Sequence, residues 1–294
     1  MKEYDPMEPV ASLFAPRSIP FSVEMFPPKG SLTLDAARKV VGGMALARPD
    51  FISVTCSAGG SGNGGQTIEV ASLIQSEAHI PAVAHLTCVN STRETVQAAI
   101  AELKAAGITT VLALRGDLVG NAQPGDFRHG ADLIPLLKDA GFCVGAAAYP
   151  EGHLDCLDLD EDLRYLREKQ DAGADFFVTQ LFFDNVDFYR FRERALAAGV
   201  TRPVTCGVMP FLGKSQIQRM VFLCGSSLPS PIVKLLAKHE DDPAALRAAG
   251  VEYACRQLVD LARNQVDGVH VYSMNHPDIA QAAATALADA GFRA

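Results

Sequence analysis

No apolar run approaches the roughly 18 residues that a membrane-spanning helix needs, so no span is expected. Dense runs of Lys and Arg are also missing, and 26 basic residues against 34 acidic ones leave a formal charge of -8. A nucleic-acid footprint normally demands a basic face, so the expectation is no nucleic-acid partner. The polar opening residues are not followed by an apolar h-region, which argues against a secretory signal. Seven cysteines (Cys56, Cys88, Cys143, Cys156, Cys206, Cys224, Cys255) never form a C-x-x-C pair. Scattered and odd in number, they predict a reduced, cytoplasmic protein rather than a disulfide framework. There is no H-E-x-x-H and no tight His/Cys cluster, so no metal is expected.

What is present is the material of a sizeable core. Hydrophobic residues make up 48% and charged residues 20%, the balance of an ordinary globular protein. Eight short runs, IPFSVEMF, FISVTC, AVAHLTC, TTVLALRGD, FCVGAAAYP, DFFVTQLFF, RPVTCGVMP and GVHVYSMN, are rich in β-branched or aromatic residues and nearly continuous in apolar character. Strands read this way when both of their faces are covered. Helical patterns lie between them. One of these, Ser91 to Ala106, opens on Ser91-x-x-Glu94 as a capping box and closes near Gly107. Eight repeats of strand then helix predict an α/β fold closed as a (βα)8 TIM barrel, usually of roughly 250 residues; a doubly wound open sheet is the alternative. Residues 1–18 are expected as an N-terminal extension and 19–294 as a single barrel domain. Extra helices are expected between strands seven and eight, over Lys214 to Arg263, where they could cover part of the barrel mouth.

Glu24, Thr55, His85, Asp117, Tyr149 and Gln180 stand at or near the ends of the first six strands, with gaps of 31, 30, 32, 32 and 31 residues. In a barrel all six approach the carboxyl-terminal mouth, where such enzymes assemble their sites. Glu24, between apolar and aromatic neighbours, is expected to have a raised pKa and to serve as a general acid; a structural salt bridge is the plainer reading. Asp117 and Gln180 offer a carboxylate and an amide, natural partners for a flat heterocycle. His85 reads equally well as a satisfied core histidine. Asp162, Tyr165 and Lys169 share one helix stripe, either a solvated face or a place where Lys169 reaches a phosphate and Asp162 a hydroxyl. His153, Cys156 and the acids Asp155, Asp158, Asp160 and Asp162 imitate a metal site. The acidic run fails as a calcium loop because Leu163 and Lys169 occupy its glycine and glutamate positions, and helix N-terminal acids explain it better. GSGNGG, Gly60 to Gly65, matches a dinucleotide fingerprint, but Ser57, Ala58 and Gly59 separate it from the strand, so a mobile loop over the mouth is expected instead. Arg115-Gly116-Asp117 is also the tripeptide read by cell-adhesion receptors, a role that the reduced-cysteine pattern opposes.

VEMFPPK, FISVTCSAG, AHLTC, LALRGD, AYPEGH, DAGADFFVTQLFFD and HVYSMN occur in this order, and together they resemble methylenetetrahydrofolate reductase from about Ile19 to the C-terminus. The resemblance implies a barrel with FAD at its mouth, reduced by NADH or NADPH, which then reduces 5,10-methylenetetrahydrofolate to 5-methyltetrahydrofolate. It implies that Glu24 is the general acid, protonating the folate at N5 and opening the methylene bridge. Asp117 and Gln180 would hold the pterin, Asp117 also tuning the flavin, and Gln216 in GKSQIQ would be a further folate contact. Thr55, His85, Arg115, Gly116, Tyr149, His153, Asp162 and Lys169 match positions that contact FAD, with Arg and Lys serving its phosphates. Met220, His129 and His276 depart from residues common in the family beside the donor, the flavin and the folate tail. A homo-oligomer is expected, with room for a partner subunit, since some relatives draw electrons through partner proteins. The competing enzyme class is a folate-binding barrel that transfers a one-carbon group without flavin redox. It leaves Tyr149, Asp162 and Lys169 without their roles, and an adhesion module leaves all six strand-end residues unexplained.

Overall fold

Each of the eight apolar runs contains a strand in the computed structural model, which describes residues 5–15, 19–27, 33–56, 64–117 and 125–293. The first half of the chain runs β1 (Phe21–Met25), α1 (Leu34–Ala45), β2 (Phe51–Val54), α2 (Gly64–Leu73), β3 (Ala82–Thr87), α3 (Arg93–Ala105), β4 (Thr110–Leu114) and α4 (Leu133–Asp139). The second half runs β5 (Cys143–Ala148), α5 (Leu159–Asp171), β6 (Phe176–Thr179), α6 (Asn185–Ala197), β7 (Val204–Val208), α7 (Lys214–Cys224), α8 (Ser230–Lys238), α9 (Pro243–Arg263), β8 (Gly268–Tyr272) and α10 (Pro277–Asp289). Every strand pairs in parallel with the next. β8 returns to β1 through Ser22↔His270 and Glu24↔Tyr272, so the sheet is a closed barrel in sequence order. Among the described residues no helix is long and apolar enough to cross a membrane, and all seven cysteines are free.

Strand parity sorts the side chains. Phe21, Val23 and Met25 of β1 join the large core shared with helix residues such as Val41, Met44 and Leu261. The alternate residues, Ser22 and Glu24, turn to the barrel interior. At the bottom of that interior Phe51, Val83, Leu112, Cys143, Phe176 and Val178 form a second apolar cluster, closed from below by Val10 and Leu13 of a 3-10 turn and by Phe14. The Phe14 ring meets that of Phe176 at 5.5 Å, tilted by 31°, and the Val10 N–H donates to Thr110 Oγ1 at 3.1 Å. The extension expected at 1–18 thus supplies, through its described residues, a dry floor for the barrel.

The cap of α3 differs from the expected one by a residue. Thr92 Oγ1 accepts from the Thr95 N–H at 3.3 Å, and Thr95 Oγ1 accepts from the Thr92 N–H at 2.9 Å. The Thr92 carbonyl accepts the first intrahelical bond, from the Val96 N–H at 3.1 Å, while the Ser91 carbonyl is turned to the Asp126 N–H at 2.9 Å. The acidic run resolves as expected: Asp158 caps α5 by accepting from Asp160 N–H at 2.9 Å, and Asp160, Glu161 and Asp162 fill the first turn. Of the glycine-rich stretch expected as a loop over the mouth, Gly60 to Gly65, residues 60–63 lie outside the described residues, and Gly64 and Gly65 open α2. Helices α7 to α9 form the predicted insertion. Their Ile217, Ile232 and Leu246 pack with Leu181, Phe183, Met209 and Phe211 beyond the ends of β6 and β7.

Candidate active site

Residues on or just after all eight strands line a cavity of about 410 Å³ at the carboxyl end of the barrel. Glu24, Thr55, His85, Asp117, Tyr149 and Gln180, the six residues of the 31-residue rhythm, all line it, as do Arg115, Gly116 and His153. Helix α7 contributes Met220 and Cys224, so the insertion does form part of the wall. Asp162, Lys169 and Gln216 stand one layer behind. Gln216 accepts from Leu212 N–H at 2.7 Å and contacts Sδ of Met274 at 2.9 Å, a residue that is itself in the wall.

β1 carries Glu24, whose side chain keeps 17% exposure at the base of the cavity. Its Oε2 lies 3.6 Å from His85 Nε2 and 3.6 Å from His270 Nε2. Burial pushes His85 down to about 4, outweighing the opposing pull of Glu24. The Glu24–His85 contact is therefore carboxyl against neutral imidazole at pH 7 and not an ion pair, despite its distance. His270 was not singled out from the sequence. The signal was there in GVHVYSMN, where a polar residue occupies the inward parity of an otherwise apolar strand.

Across the mouth, Arg115 donates to Asp155 Oδ2 at 2.9 Å, and this bond holds the exposed Asp155 carboxyl below its ordinary range. Gly116 follows with φ +81°, and an added Cβ would come within 3.0 Å of Thr87 Cβ, so the turn that presents Asp117 depends on glycine. Burial raises the Tyr149 hydroxyl to about 12. The His153 ring meets Tyr149 edge-on at 4.7 Å, accepts the Asp155 N–H at Nδ1 at 3.0 Å, and has its pKa lowered chiefly by burial. Lys169 lies 5.4 Å from the centre of the Tyr149 ring and donates to the Ala147 carbonyl at 2.8 Å. Burial brings its ammonium down to about 8 against the pull of Asp162, whose own carboxyl burial raises. Gln180 is set by its own backbone, Oε1 accepting from Leu181 N–H at 2.9 Å. Opposite, Tyr272 donates to the Thr179 carbonyl at 2.6 Å, and Gly207 leaves room for its ring: a Cβ there would fall 2.6 Å from Tyr272 Cε2.

A cavity with apolar walls (Leu114, Leu181, Met209, Met220), one recessed carboxyl, and a carboxylate and amide nearer the opening suits a flat heterocycle that must receive a proton. Relatives of this chain are known. A 5,10-methylenetetrahydrofolate reductase of Pectobacterium carotovorum subsp. carotovorum is 31% identical over 262 residues, covering 89% of this chain and 87% of that protein. Methylenetetrahydrofolate reductase 1 of Schizosaccharomyces pombe is 32% identical over 265 residues, which are 87% of this chain but 44% of that protein, so the chain spans less than half of the yeast enzyme. Among solved structures, an uncharacterized protein from Clostridium thermocellum that binds two copies of 5-methyl-5,6,7,8-tetrahydrofolic acid superposes with a TM-score of 0.62, covering 93% of this chain and 96% of that one. At 15% identity that likeness speaks for the fold alone. The family model described as methylenetetrahydrofolate reductase matches residues 10–287. With the barrel, the mouth and this match in agreement, the chain belongs to the methylenetetrahydrofolate reductase family.

Proposed function

We propose that this chain reduces 5,10-methylenetetrahydrofolate to 5-methyltetrahydrofolate, with FAD at the barrel mouth and NADH or NADPH as electron donor. The observation that carries the reading is the convergence of Glu24, Asp117 and Gln180 on one cavity in a barrel of this family. Asp117 and Gln180 hold the pterin edge from two sides, and Gln216 supports that wall through Met274. The product carries its methyl group on N5, so the bond that breaks is the one from the methylene carbon to N10. Its electron pair and the proton from Glu24 both finish on N10, which corrects the protonation at N5 expected from the resemblance. The cation left on N5 accepts a hydride.

The donor set fits FAD. Met220 and Leu114 offer faces to a flat ring, the Arg115 guanidinium stands at the mouth, and Lys169 is an enclosed cation whose ammonium would be held charged by a phosphate. When bound, FAD would supply the hydride after accepting it from the reduced nicotinamide. Thr55, His85, Gly116, Asp117, Tyr149, His153 and Asp162 complete the residues proposed to hold it. A homo-oligomer, a cytoplasmic setting and a further partner subunit belong to the same reading.

The test is to purify the chain, record its visible spectrum, reduce it anaerobically and add 5,10-methylenetetrahydrofolate. A bound flavin that the folate reoxidises is the expected result; no flavin, or reduced flavin that persists, would sink the reading. Folate binding without flavin would favour the one-carbon transferase instead. Glu24→Gln should keep the flavin and its reduction by the donor while slowing folate reduction about 10²–10⁴-fold, the range for loss of a general acid. Equal losses in both half-reactions would contradict the role given to Glu24.

A further inference from the structure

Above its apolar floor the barrel interior turns polar, with Ser22, Ser53, Thr205 and His270 all buried there. Nε2 of His85 and Nε2 of His270 are buried without a hydrogen-bond partner. Each lies 3.6 Å from the same oxygen, Oε2 of Glu24. An unpartnered buried nitrogen costs about 1–3 kcal/mol. Two of them beside one carboxyl oxygen therefore point to a shared partner, the acidic proton itself.

The far side of His270 is fixed. Its Nδ1 lies 2.7 Å from Ser22 Oγ, which also contacts the Val269 carbonyl at 3.2 Å, and Phe51 stacks on its ring at 6.2 Å. A hydroxyl has one proton to give. If Ser22 gives it to Val269, Nδ1–H donates to Ser22 and Nε2 presents a lone pair, which matches a protonated Glu24. If Ser22 gives it to Nδ1, Nε2 carries the hydrogen and matches an ionised Glu24. His270 can thus complement either state. The apolar floor closes the line below Ser22, so the array stores a proton and does not conduct one; exchange with solvent runs through the mouth.

We propose, on the basis of the folate reduction argued above, that the acid of that step is one proton shared between Oε2 of Glu24 and Nε2 of His270, a positioning residue held by Ser22, with the neutral His85 ring beside them. In each turnover an O–H bond of Glu24 breaks as an N–H bond forms at N10, and water returns one proton through the mouth. Other titratable groups face the same cavity. Tyr272 on β8 is raised well above its ordinary value, Tyr149 after β5 to about 12 and Cys224 on α7 to about 11, so all three stay protonated near neutral pH. His153 and Asp117 also face it, and Arg115 is engaged with Asp155.

The experiment follows reoxidation of the reduced, FAD-bound full chain by 5,10-methylenetetrahydrofolate across the neutral pH range. His270→Gln should move the midpoint of the rate–pH curve down by about 0.3 of a unit, the factor of two lost when one of two equal seats for the proton goes. Flavin reduction by the donor should not change. A midpoint that stays put, or rises as simple desolvation would make it, overturns the proposal. If His270→Gln does not fold, Ser22→Ala should give a smaller downward move. A second readout needs no catalysis: in ¹⁵N spectra of the full chain without ligand, the Nε2 signal of His270 should move in Glu24→Gln, and a signal indifferent to that change also overturns it. A wild-type chain that shows this coupling yet fails to reduce the folate would sink the proposed function and leave the cluster standing.

Discussion

His85 shows how a single residue's charge is settled by competition: Glu24 at 3.6 Å favours the imidazolium, enclosure disfavours it, and enclosure brings the pKa from 6.5 to about 4. Above pH 6.5 the ring is neutral in both folded and unfolded chains and the shift has no effect on stability. As pH falls from there towards 4 the unfolded chain takes the proton first, so stability drops, and the loss is complete below about 4. The size of that loss is about 3 kcal/mol, from the same shift at 1.36 kcal/mol per unit. Denaturant unfolding at a series of acid pH values should show this slope in the wild type and a shallower one in His85→Gln; equal slopes would refute it. Asp117 makes a different prediction, because it is exposed at the mouth and contributes little to the core. Asp117→Asn should weaken folate binding and shift the flavin potential while circular dichroism stays that of the wild type. The sequence marks Asp117 through its strand-end position, whereas the inward parity of His270 gives no sign that Glu24 lies beside it.

At the scale of elements, the strands were legible because their pattern is local: a short run of Val, Ile, Phe and Ala between turn residues reads as a strand wherever it lies. Caps were less so. Ser91 and Thr92 both satisfy the composition of an N-cap, and the fold separates them, bringing Asp126, 35 residues on, to the Ser91 carbonyl. The 3-10 turn Val10–Leu13 illustrates the same limit, since four residues carry no useful periodicity and its value lies in what it covers. Leu13→Ala should destabilise the barrel by about 2–5 kcal/mol through the cavity left at the floor. Thr110→Val should cost about 1–3 kcal/mol by leaving the Val10 N–H unpaired in an apolar place. Urea melts check both, and wild-type midpoints in either variant would show that the floor adds nothing to stability.

For the whole molecule, the proposed cofactor site and the fold are thermodynamically linked. The FAD residues come from β2 through β5 and from α5, so the site exists only in the closed barrel and ligand binds the folded state alone. FAD at 100 times its dissociation constant should therefore raise the unfolding free energy by about 2.7 kcal/mol. Thermal melts with increasing FAD check this, and a midpoint indifferent to FAD would mean that these residues do not form its site. The alternation of strand and helix, and the return of a polar residue every 30 to 32 positions, were determined by the sequence alone, because strand parity and the length of a βα unit are properties of neighbouring residues. Closure of the sheet was not local. It brings β8 against β1, sets Ser22 on His270 across 248 residues of chain, and places two unpartnered imidazoles on one carboxyl oxygen. Only the tertiary structure could decide that arrangement, since the burial and the partner of each group depend on which distant strand comes to lie beside it.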